Sequence, residues 1–176
     1  MLIPQTITDA INAQVGMEYH ASLQYDAIGA HFASESLPKL ATHYFKQATE
    51  ERGHAHRFMK FLIDCGARVV IPALEKPQDR FQFAKDAVKL AFESEMKVTD
   101  AINELQNLAH KENNHLTTTF LQWFITEQLE EVASAEQLLK TVERAGEGGL
   151  LLVEQLFANG GLQGGNPVPD AGGNGG

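Results

Sequence analysis

The chain has 176 residues, 43% of them hydrophobic and 21% charged, which suits one soluble globular domain with a sizeable core. Its 23 acidic and 14 basic residues leave a formal net charge of -9, a balance that repels nucleic acid and anionic membrane and attracts cations. No run approaches the ~18 apolar residues of a membrane span, Met1–Thr6 lacks a signal-peptide pattern, and the lone Cys65 excludes an internal disulfide, so a cytoplasmic protein without nucleic-acid or membrane partners is expected.

Proline positions divide the chain into four proline-free stretches of helical periodicity, predicted near 6–34, 37–65, 79–108 and 114–144. Thr6, Thr8 and Asp9 offer capping side chains at the first start, and Ser34 and Ser36 at the second. Gly66 and Gly146 stand where the second and fourth helices should stop. Each helix would be ~42 Å long, and matched lengths favour a side-by-side bundle. Very short links join helices one and two, and three and four, which makes each pair antiparallel neighbours. Residues 66–78 could span ~43 Å when extended, the full length of a helix. Leu150–Phe157 reads as a short fifth helix, apolar around most of its circumference and therefore expected to be buried against other subunits. Gly160–Gly176, mostly Gly, Asn and Pro, reads as a flexible tail.

Each of the four long helices carries one glutamate on its apolar stripe, near its middle: Glu18, Glu51, Glu95 and Glu131. In antiparallel neighbours of matched length these positions meet at one level. A single buried carboxylate costs several kcal/mol unless paired or bound to a cation. Four together would repel one another and take up protons. A metal removes that conflict, and His54, one turn beyond Glu51, adds an imidazole. Carboxylates with one imidazole suit iron or manganese. Glu50, Glu127 and Glu130 are weaker candidates, since glutamate is common on solvated helix faces, and Glu93 reads as solvent-facing. His20, His31, His43, His56, His110 and His115 read as surface or helix-end residues.

Glu18-Tyr19 with Tyr25, Glu50-Glu51-Arg52-Gly53-His54, Glu95 within Glu93–Met96, and above all Phe120–Glu131 resemble the bacterial non-haem ferritins, with the likeness extending to about residue 158. The resemblance implies an all-α, ferritin-like four-helix bundle with one long crossover and a short fifth C-terminal helix. Residues 1–159 would form that domain and 160–176 the tail. It further implies that Glu18, Glu51 and His54 hold a first iron, with Glu51 bridging. Glu95 and Glu131 would complete a second, with Gln128 beside it. Tyr25 matches a tyrosine next to the ferroxidase centre, and Glu50, Glu127 and Glu130 match a third iron site of some members. The implied function is ferroxidase activity and iron storage: iron(II) oxidised by dioxygen or peroxide at a di-iron centre, then stored as ferric mineral in a homo-oligomeric cage of 24 subunits. In that cage the fifth helix lines the four-fold axes.

Two departures are informative. Bacterioferritin and rubrerythrin-like sites carry a second Glu-x-x-His, whereas here Glu127 and Gln128 are followed three places on by Glu130 and Glu131. Arg52 stands where bacterioferritins have a haem-ligating methionine, so no haem is expected. Two rival readings stay open on sequence alone. One is a carboxylate-bridged oxygenase or reductase, which needs a substrate cavity. The other is a structural helical oligomer without metal.

Overall fold

A computed structural model describes residues 1–162, which form α1 (Gln5–Ser34), α2 (Pro38–Asp64), α3 (Ala84–Lys111), α4 (His115–Ala145), a 3-10 turn (Glu147–Gly149) and α5 (Leu150–Ala158). The long helices make a four-helix bundle in which α1 packs on α2 and α3, and α3 on α4. The expected all-α architecture with one crossover and a short fifth helix is the one observed. No described helix is long and apolar enough to cross a membrane. The expected flexible tail begins at Gly160, but Gly160–Leu162 form a turn that packs Leu162 against the core, and the rest, beyond Leu162, lies outside the described residues.

Helix ends follow a common device. Ser36, Gly66, Asn113 and Gly160 all have positive φ, ending α1, α2, α3 and α5. In each case the next amide reaches back along the last turn, as Ala67 N–H does to the Leu62 carbonyl at 2.9 Å. Gly66 and Gly146 thus stand at the predicted stops, with φ of 69° and 60°.

The helix starts depart from expectation. Pro4 and Leu37 are the N-cap residues of α1 and α2, and neither start has a side-chain cap of its own. Ser36 instead occupies the left-handed turn. The free amides of the α2 start are met from far along the chain: the Glu154 carboxylate of α5 accepts from Lys39 N–H at 2.8 Å and from Leu40 N–H at 2.8 Å. An anion at a helix N-terminus satisfies orphan donors and complements the helix dipole. Glu147 acts likewise on Ala84 N–H, at 2.9 Å, at the start of α3. Glu154→Ala is therefore expected to cost about 1 kcal/mol, seen as a lower thermal midpoint and faster hydrogen exchange at the Lys39 and Leu40 amides. Unchanged exchange at those two amides would mean that the carboxylate caps nothing.

The crossover is longer than predicted, because α3 begins at Ala84 and not near 79. Two buried amides of α1 hold it extended. Asn12 donates to the Arg68 carbonyl at 3.0 Å and accepts from Val70 N–H at 2.8 Å. Gln24 donates to the Gln78 carbonyl at 2.8 Å and accepts from Gln78 N–H at 2.9 Å. Between these clamps the strap lies so close to α1 that a Cβ on Gly16 would meet Pro72 Cγ at 2.3 Å. Only glycine fits there.

The core is split in two. One apolar cluster gathers Ile7, Ile11, Phe58, Leu62, Ile102, Leu121 and Phe124. The other gathers Ile28, Phe32, Leu40, Tyr44, Val88, Leu138 and Val142. Glu18, Glu51 and Glu95 lie between them along their helices and are buried as deeply as the leucines. α5 adds Leu150 and Val153 to the second cluster, so it packs partly on its own chain. Its remaining leucines, Leu151, Leu152 and Leu156, are exposed on the single chain.

Candidate metal centre

Each long helix brings its mid-stripe glutamate to the polar layer. Glu18, Glu51 and His54 converge most tightly: one donor atom from each lies within 4.8 Å of the other two. His54 Nδ1 stands 3.1 Å from Glu51 Oε2. Gln14, one turn before Glu18, donates to Glu18 Oε1 at 2.9 Å. The remaining oxygens, Glu18 Oε2 and Glu51 Oε1, are buried with no hydrogen-bond partner. Buried carboxylate oxygens without donors are costly in a folded protein, and a cation is the partner such oxygens suit.

Glu95 and Glu131 form the second half. Glu95 accepts hydrogen bonds from the Tyr25 hydroxyl and from Gln128 Nε2, the latter at 3.2 Å. Gln128 also donates to Thr99 Oγ1 at 3.1 Å, so it orients Glu95 through its amide hydrogens. Glu131 is half-buried and accepts from Gln47 Nε2 at 3.0 Å.

The electrostatics agree with a site short of positive charge. Desolvation, followed by the Glu51 charge, holds the Glu18 carboxyl well above the usual carboxylate range. Glu51 is raised by desolvation and then by Glu95 and Glu131. Burial also raises Glu95, and Glu131 is pushed up to about 8 by burial and by Glu95. Tyr25 is held neutral by burial and by the adjacent Glu95.

Of the three weaker candidates, Glu50 and Glu127 lie near enough to the centre to affect it, Glu50 raising both Glu51 and Glu131. Glu50 pairs with Lys46 at 3.3 Å on the surface of α2. Glu127 has a buried, unpartnered Oε2, and desolvation raises its carboxyl. Among the described residues, only Glu18, Glu51 and His54 bring three donors within 4.8 Å, so Glu50, Glu127 and Glu130 do not close a comparable group. Glu93 is exposed, as expected, and pairs with Lys89. Arg52 is exposed and pairs with Asp26 at 3.5 Å.

Several contributors are not evident from the sequence. Gln47 has no periodic signal that distinguishes it from any other boundary glutamine. Gln14 sits four residues before Glu18, a helical neighbour spacing that would have flagged it. Trp123 packs edge-on to His54 at 5.5 Å, with Arg57 stacked 3.9 Å above its ring. His43 is not the surface residue expected. It is half-buried against Tyr44 at 5.0 Å and Phe157 at 5.1 Å. Burial, with Lys46 nearby, lowers its imidazole to about 4.

Cavities separate the possible chemistries. The one touching the centre, lined by Tyr25, Tyr44, Gln47, Glu95 and Glu131 among others, measures about 20 Å³. That is room for about one water. A larger cavity of about 420 Å³ lies between α1, the crossover and α3, lined by Gly16, His20, Pro72, Leu90 and Lys97 and by none of the carboxylates above.

Comparison with known proteins gives one consistent picture. The family model described as "Ferritin-like domain" matches residues 8–145. Ferritin BfrB from Mycolicibacterium smegmatis is 39% identical over 148 residues, covering 84% of this chain and 81% of that protein. A bacterial non-heme ferritin from Staphylococcus aureus is 30% identical over 146 residues, covering 83% and 88%. Among solved structures, an open-pore ferritin from the archaeon Archaeoglobus fulgidus superposes with a TM-score of 0.86 at 29% identity, covering 92% of this chain and 98% of the other.

Proposed function

The chain belongs to the ferritin family, and from that premise we propose that it binds iron(II) as substrate, oxidises it with dioxygen or peroxide, and stores the ferric product as mineral in a cage of 24 subunits. The observation that carries this reading is the pair of buried, unpartnered oxygens Glu18 Oε2 and Glu51 Oε1 beside His54. Glu18, Glu51 and His54 take the first iron. Glu51, whose charge is felt together with those of Glu95 and Glu131, reaches towards the second as a bridge. Glu95 and Glu131 complete that second position, and Gln128, Gln47 and Gln14 hold the carboxylates in place through hydrogen bonds of 2.9–3.2 Å. Tyr25, hydrogen-bonded to Glu95, is placed to give an electron and a proton. Iron(III) is favoured over iron(II) by so many anionic oxygens in a site shielded from water.

The small cavity at the centre weighs against the oxygenase or reductase reading. An organic substrate would need a pocket of ~300 Å³ or more, against about 20 Å³ here. Residues 1–159 serve as one domain with 160–176 as a tail, and the exposed Leu151, Leu152 and Leu156 of α5 suit burial at a cage axis between subunits. A cytoplasmic location fits a chain that relies on no disulfide. Anaerobic iron(II) titration followed by air, with iron uptake and particle size both measured, tests the whole reading. Cages that take up and oxidise iron support it. Oxidation of an organic substrate without mineral, or cages indifferent to iron, would overturn it.

Glu50, Glu127 and Glu130 have the weaker claim to a third iron position. Its support is the unpartnered Glu127 Oε2, whose carboxyl is affected by Glu130 and Glu50. Glu130→Ala is expected to change the iron-to-oxygen ratio and slow the turnovers after the first. Crystals soaked in iron(II) would lose a third metal peak in that variant. Two peaks in both proteins with one stoichiometry would return these glutamates to the solvated surface.

A further inference from the structure

Three tyrosines occur in the chain, and two of them lie together beside the candidate centre. Tyr44, on α2, is 2% exposed and its ring centroid is 5.8 Å from that of Tyr25. On its other side it stacks on Phe32 at 5.6 Å. It lines the same small cavity as Tyr25, Glu95 and Glu131. Its hydroxyl has no hydrogen-bond partner among the described residues, in contrast with Tyr25, which donates to Glu95. Phenylalanine would make the same ring contacts, so those contacts do not by themselves call for the hydroxyl.

We propose that Tyr44 is a second electron donor to the iron centre, acting through Tyr25. The proposal rests on the iron-oxidising reading above. Rings in contact allow an electron to pass between them, and Tyr25 touches the Glu95 end of the centre. The balance is complete with the groups at hand. Two iron(II) ions give two electrons, and the two phenols give one electron and one proton each. Dioxygen takes these four electrons with the two phenolic protons and two more from solvent, forming two waters. What remains is two iron(III) ions and two neutral phenoxyl radicals. Tyr25 donates first, is refilled by an electron from Tyr44, whose proton follows by way of the small cavity that both residues line, and donates again. Two further iron(II) ions, with two protons from solvent, then restore both phenols. Dioxygen is thereby reduced to water with only two irons oxidised at the di-iron centre in that step, and hydrogen peroxide is not released.

The test uses the full chain, loaded anaerobically with two iron(II) ions per subunit and mixed with dioxygen. Iron oxidation is followed by absorbance, radicals by freeze-quench electron paramagnetic resonance, and peroxide by a coupled assay. Tyr44→Phe keeps the ring and is expected to fold as the wild type does. It should oxidise iron, lose one of two tyrosyl radical components, and release hydrogen peroxide that the wild type does not. Tyr25→Phe should lose both components, because the proposed relay passes through Tyr25. Tyr19→Phe is the control, since Tyr19 contacts Met59 and not the cavity, and it should match the wild type. A Tyr44→Phe protein with wild-type radical signal and wild-type peroxide release would overturn the proposal while leaving iron oxidation standing. A wild type that oxidises no iron would remove the functional reading and this one with it.

Discussion

Glu51→Ala is expected to assemble as the wild type does and to lose rapid iron oxidation. Glu51 is the one carboxylate that shares His54 at 3.1 Å and also feels Glu95 and Glu131, so its loss disconnects the two halves of the centre. Loss of a mere outer partner of a metal ligand costs ~10–100-fold, and loss of a bridging ligand should exceed that. Assembly should survive, because Glu51 is surrounded by its own bundle and not by the exposed leucines of α5. Glu51→Gln separates chemistry from packing, since it keeps the volume and removes the charge. The metal-free Gln variant should unfold at a higher temperature than the wild type above neutral pH, where the buried acid otherwise has to be held protonated or left charged. Stopped-flow oxidation on size-verified particles, with calorimetry of the metal-free proteins, measures both effects. Wild-type oxidation rates in Glu51→Ala cages would sink the assignment of the centre.

What the sequence discloses here is the local face of each helix. Ile11, Tyr25, Phe58, Val98, Ile102, Leu121 and Val142 are buried as their periodicity requires, and so are Glu18, Glu51 and Glu95 on the same stripes. A carboxylate on an apolar stripe is legible because it violates the pattern around it. Groups that satisfy one another across the fold carry no such mark. Nothing local to Pro38 says that Glu154, more than a hundred residues on, will cap α2. Nor does anything near residue 79 say that Gln24 will hold Gln78 extended and delay α3 to Ala84. The same holds for Gln47, whose partner Glu131 lies on α4. His43 departs from its expected surface position for a related reason: its burial depends on Phe157 of a helix that folds back on the bundle. Periodicity reports which face is inward, and the identity of the distant partner has to come from the assembled fold.

The metal-free protein is expected to lose stability as pH rises, the reverse of ordinary acid sensitivity. Glu131 carries the plainest sign. Its carboxyl is raised from 4.5 to about 8 in the folded chain, chiefly by burial and then by Glu95. Between those two values the folded state binds a proton that the unfolded state has released. Stability then falls with rising pH, because the slope follows the protons bound by the unfolded state minus those bound by the folded one. The contribution is fully present below about 4.5, the unfolded value, and is lost as pH climbs through about 8. Glu18, Glu51 and Glu95 are raised in the same direction and add to the same trend. A tenfold change in proton affinity is worth ~1.4 kcal/mol, so Glu131 alone contributes on the order of a few kcal/mol across the window. Thermal midpoints of carefully metal-free protein should therefore drop from mildly acidic to mildly alkaline buffer, and Glu131→Gln should flatten the drop. Anaerobic iron(II) should flatten it too, since a cation replaces the protons, and its binding should release protons into a weakly buffered solution. A midpoint that rises over this window in the metal-free protein would mean that the four carboxylates are solvated or paired, and the centre would have to be placed elsewhere.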